Sequence, residues 1–99
     1  MSALDLMRRR VDLVGTVSAL TAKALKLTQA VSGVEMDILR LELAIGRDPA
    51  NGQLVRELHS QEESAAAIRQ EQADCAEDIA AAEREVAALD ALIAAAKGG

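Results

Sequence analysis

The sequence predicts an all-α chain folded as an antiparallel two-helix hairpin, a coiled coil doubled back on itself. Three observations predict it: two unbroken seven-residue apolar repeats, one cluster of helix breakers between them, and a composition with no Phe, Trp or Tyr. A core made only of Leu, Ile, Val, Met and Ala suits a thin helix-on-helix seam better than a thick globular centre. With 51% apolar residues the chain is also too hydrophobic to remain disordered.

The first repeat places Leu6, Leu13, Leu20, Leu27, Val34 and Leu41 at d positions of a heptad. The a positions are Arg10, Val17, Ala24, Val31, Ile38 and Ile45, apolar except for Arg10. This predicts a helix over residues 3–45. The next segment, 46–52, reads Gly-Arg-Asp-Pro-Ala-Asn-Gly. Gly46 suits a left-handed C-cap, Pro49 cannot continue a helix, and Asn51 can cap the following one. The second repeat has d positions at Leu54, Gln61, Ile68, Cys75, Ala82, Leu89 and Ala96, and a positions at Leu58, Ala65, Gln72, Ile79, Val86 and Ile93. A second helix over residues 53–96 follows, and each helix is about 65 Å long at ~1.5 Å per residue. The whole chain, 1–99, is read as one helical-hairpin domain.

Equal helices joined by a short loop fold side by side. Antiparallel packing sets a against d, which pairs Ile45 with Leu54, Leu41 with Leu58, Val31 with Ile68, Leu20 with Ile79, Leu13 with Val86 and Leu6 with Ile93. One register serves the full length. It sets Gln61 and Gln72 against Ile38 and Leu27, two polar layers of the kind that fix register at a cost in stability. It also sets Ala24 against Cys75 and Arg10 against Leu89, with Asp90 near enough to neutralise the arginine. Glu35 is expected to reach Arg69, and Lys23 to reach Asp78, along the flanks.

Charge is divided unevenly. Residues 1–34 carry five basic and two acidic side chains, residues 35–99 six and fourteen, for a net charge of −5. Opposite signs favour pairing of the two halves, and net acidity argues against a chain that simply coats nucleic acid or an anionic membrane. Arg8-Arg9-Arg10 ahead of a mildly apolar run imitates a signal peptide, but Asp12 and Gly15 interrupt the run and the heptads continue through it. No charge-free apolar stretch approaches the roughly 20 residues that span a bilayer. The expectation is a soluble, cytoplasmic protein.

Once the seam is closed, Leu4, Val11, Leu25 and Leu39 are left over on one side of the first helix, with Met7 and Val14 beside the seam. These six form a second apolar stripe, expected to contact a second copy or another protein. The Ala row at 66, 73, 80, 87 and 94 is read as helix-forming surface filler.

Reactive chemistry is sparse. His59 and Cys75 lie sixteen residues apart, about 24 Å along one helix, too far for a dyad. His59 is expected to face solvent and Cys75 to fill the core. The glycines lack the spacing of a phosphate loop, and the interior of a two-helix seam has no room for a ligand pocket of ordinary size. No catalytic residue, metal site, cofactor or small-molecule substrate is expected. The candidate phosphate contact is Arg8, Arg9 and Arg10, though without aromatics nothing can stack on bases.

Residues 44–58, Ala-Ile-Gly-Arg-Asp-Pro-Ala-Asn-Gly-Gln-Leu-Val-Arg-Glu-Leu, resemble the loop and second-helix start of type III secretion needle subunits, which the resemblance would make small polymerising hairpins. The architecture is also similar to the oligomerisation segment of phage small terminases, ring-forming proteins that recruit DNA. The expected function is a non-enzymatic assembly module that associates with itself into a four-helix dimer or a larger oligomer and binds another protein. The alternatives are a nucleic-acid packaging subunit and a fibre-forming secretion subunit.

Overall fold

In the computed structural model, which describes residues 2–98, the chain is two long helices packed against each other as a hairpin. Helix α1 spans Ala3–Arg47 and α2 spans Gly52–Gly98. Both run slightly beyond their expected ends, 45 and 53–96, and the connection shrinks to residues 48–51.

The caps explain the ends. Ser2 Oγ accepts the Asp5 N–H at 3.2 Å while the Asp5 carboxylate accepts from the Ser2 hydroxyl at 2.9 Å, a reciprocal box that starts α1. The expected left-handed C-cap at Gly46 is not formed: no described glycine has positive φ, and Gly46 lies inside the helix. Instead the Asp48 N–H donates to both Ala44 and Ile45 carbonyls, at 3.1 and 3.2 Å, which draws the last turn tight without a φ reversal. Pro49, with no N–H to continue the ladder, then turns the chain, and the Asn51 N–H closes on the Asp48 carbonyl at 3.1 Å. Asn51 caps α2 as expected, its Oδ1 accepting the Gln53 N–H at 3.1 Å.

The chain divides into two compact units, each built from a length of α1 beside a length of α2. A terminal unit comprises the residues up to Ala24 and those from Asp74 onward; a turn unit is Leu25–Ala73. In the terminal unit Leu6, Leu13 and Leu89 form a buried cluster against which Val86 and Ile93 pack. Cys75 and Ala82 are buried there too, and Cys75 is 2% exposed with its thiol directed at the Leu20 carbonyl, 3.3 Å away. The core role expected for Cys75 is thus what the structure shows. In the turn unit Leu27, Val31 and Ala65 are buried, Ala65 completely.

Every a and d residue named for α1 is buried or half-buried, and so is every one named for α2 apart from Ala96, which is exposed in the last turn. Gln61 and Gln72 are half-buried, as polar layers in the seam should be, and no buried side-chain polar atom among the described residues lacks a partner.

Candidate functional site

The surface of α1 carries large apolar side chains that the seam does not use. All six expected residues are exposed: Leu4 56%, Met7 41%, Val11 68%, Val14 45%, Leu25 61% and Leu39 55%. The structure distributes them between the units. Leu4, Met7, Val11 and Val14 lie in the terminal unit at spacings of three and four residues, and so make one continuous row on the helix. Leu25 and Leu39 lie in the turn unit, where Met36, at 62%, and Leu43, at 66%, extend the row around Leu39. Sequence reasoning misses Met36 and Leu43, although each lies three or four residues from Leu39. It also misses Leu92, exposed at 54% on α2, whose exposed neighbours three and four residues away are all alanines.

Of the three adjacent arginines, two are engaged. Arg9 forms an ion pair with Glu85 at 2.8 Å, and Arg10 pairs with Asp90 as its place opposite Leu89 anticipated. Each carboxylate, through its hydrogen bond first and its charge second, raises the guanidinium pKa above its ordinary value. On the arginine side a raised cation pKa favours the fold below the unfolded value and is lost as the guanidinium deprotonates in the far alkaline range. Each pair also requires its carboxylate to be ionised, so it is lost in acid as well. Arg8 makes no ion pair among the described residues. The flank pair Glu35–Arg69 forms at 2.8 Å. Lys23 and Asp78 form none; heptad proximity, which suggests that pairing, does not fix where a long lysine stem ends. All these pairs are solvent-accessible, where water and salt screen such contacts and leave them little weight in stability.

Open grooves lie on the surface. One, of about 490 Å³, is lined by Leu4, Met7, Arg8, Val11 and Asp12 in the terminal unit. A second, of about 420 Å³, is lined in the turn unit by Asp37, Arg40, Leu41, Ala44, Glu57, Ser60 and Gln61, with the Asp37–Arg40 ion pair in its wall. Another, of about 410 Å³, is bounded by Glu77, Asp78, Ala80, Ala81 and Arg84. These are open to solvent along the helix flanks, so none of them encloses a small molecule as a ligand cavity does. No group of three or more His, Cys, Asp or Glu among the described residues is placed to hold a metal ion. His59 is exposed. No described helix is long and apolar enough to cross a membrane.

The chain matches no protein-family model, no curated protein and no solved structure at a significant level.

Proposed function

We propose that the chain is a non-enzymatic assembly module, a helical hairpin that self-associates through coiled-coil packing and binds other protein chains with the same apolar surface. The observation that carries this reading is the row of exposed large apolar side chains on α1, arranged at helical spacing beside a seam that is already complete. Such a row left in water is unfavourable by about 25 cal/mol for each Å² of apolar area, and a second helix laid on it removes that cost. Helices offer the row to another helix most readily, because threes and fours interlock with threes and fours.

The nucleic-acid alternative would need the Arg8, Arg9 and Arg10 charges gathered from several copies. It draws less support, since two of the three guanidinium groups are taken by Glu85 and Asp90. Retention on DNA at low salt that disappears when the three arginines become Ala would favour it.

The test of the leading reading is the mass in solution by light scattering across concentration. A value above the 10.4 kDa of one chain is expected, falling to the single-chain mass when Leu4, Met7, Val11, Val14, Leu25 and Leu39 are all changed to Gln with helicity retained. A wild-type chain that stays at one-chain mass at every concentration overturns self-association.

A further inference from the structure

We infer that the terminal-unit row of α1 is covered by a second copy of this chain, α1 laid antiparallel on α1 about a twofold axis between Met7 and Val11; this rests on the self-association proposed above. Leu4, Met7, Val11 and Val14 are spaced three, four and three. Rotation about that centre therefore puts Leu4 opposite Val14 of the second copy and Met7 opposite its Val11, so each apolar residue meets another. An isologous contact requires such self-complementarity.

The charges at the edge of the row satisfy the same rotation. Arg8 and Asp12 line the groove with Leu4, Met7 and Val11, and neither forms an ion pair among the described residues. In the antiparallel arrangement Arg8 of one copy falls about 3 Å along the axis from the level of Asp12 of the other, and the reverse pair forms by symmetry. An unrelated acidic partner would answer Arg8 alone, and a basic one Asp12 alone. A second copy answers both.

The experiment is light scattering and sedimentation of the full chain, with circular dichroism to confirm that each variant keeps its helices. Val11→Arg places a charge on the most exposed member of the row and should weaken association at least tenfold, whereas Leu39→Arg in the turn unit should change it little. Arg8→Asp should weaken association several-fold, and Arg8→Asp with Asp12→Arg should restore it. An oligomer unmoved by Val11→Arg, or dispersed by Leu39→Arg instead, or a charge swap that does not restore it, overturns the antiparallel contact while self-association stands. A wild-type chain that is monomeric throughout overturns self-association itself, and this contact with it.

Discussion

The terminal and turn units have the same two-helix construction but are held together differently. Among the described residues of the terminal unit five side chains are buried, Leu6, Leu13, Cys75, Ala82 and Leu89, and three of them form one cluster. The turn unit buries only Leu27, Val31 and Ala65, and both glutamine layers fall within it. Loop closure accounts for the difference. In the turn unit the helices are joined by a four-residue connection, Asp48 to Asn51, so little entropy is lost in bringing them together and polar layers are tolerated. The segments of the terminal unit are joined only through all of Leu25–Ala73, so apolar burial has to hold them.

Leu13→Asp should set the two units apart most clearly. It places a carboxylate in the Leu6–Leu89 cluster, and the terminal unit should open while amide exchange in the turn unit stays slow. Simultaneous loss of protection in both would mean one cooperative block. Truncations should come next: Leu89→Ala is expected to cost about 3 kcal/mol in denaturant unfolding, against about 2 kcal/mol for Leu27→Ala, in the unit that carries both half-buried glutamines. Equal losses would remove the distinction between the cores. Gln72→Leu should raise stability by about 1 kcal/mol and broaden the spectra of the turn unit as register is loosened; a loss of stability would show that the glutamine is fully satisfied where it stands. Substitutions at the helix-interior glycines should matter least. Nothing lies within 4 Å of a Cβ built at Gly15 or Gly33, so alanine at either should raise the midpoint of thermal unfolding, by about 0.5–1 kcal/mol of stability in each unit.

The seam is legible in the sequence because a seven-residue period is carried by every turn of both helices, and a single misplaced residue cannot hide it. Spacing alone assigns Leu6, Leu13, Ala65 and Cys75 to the core, and all four are buried. The ends are less legible. Gly46 has the residue type of a left-handed cap, yet the Asp48 N–H reaches two carbonyls of α1 and leaves the reversal to Pro49. The Ser2–Asp5 box escapes a reading by heptads, though Ser followed three residues later by an acid is close to its usual signature. Arg9 and Glu85 meet across the helices at positions that heptad letters place only loosely, and only side-chain placement separates that pair from the unformed Lys23–Asp78. The exposed stripe is legible where it is regular. Met36 and Leu43, which widen it, stand outside the row that spacing by seven picks out at Leu4, Val11, Leu25 and Leu39.

In the terminal unit Leu6 of the first helix packs in one cluster with Leu89 and Ile93 of the second, so the early turns of α1 and the late turns of α2 lie side by side. A pull that draws those two segments apart therefore acts across the seam and not along it. Layers would separate in succession, starting with Ile93 and Leu6, and no two would have to yield together. Mechanically the hairpin is a zipper loaded at its open end, and it should give way at far lower force than the same contacts would bear in shear.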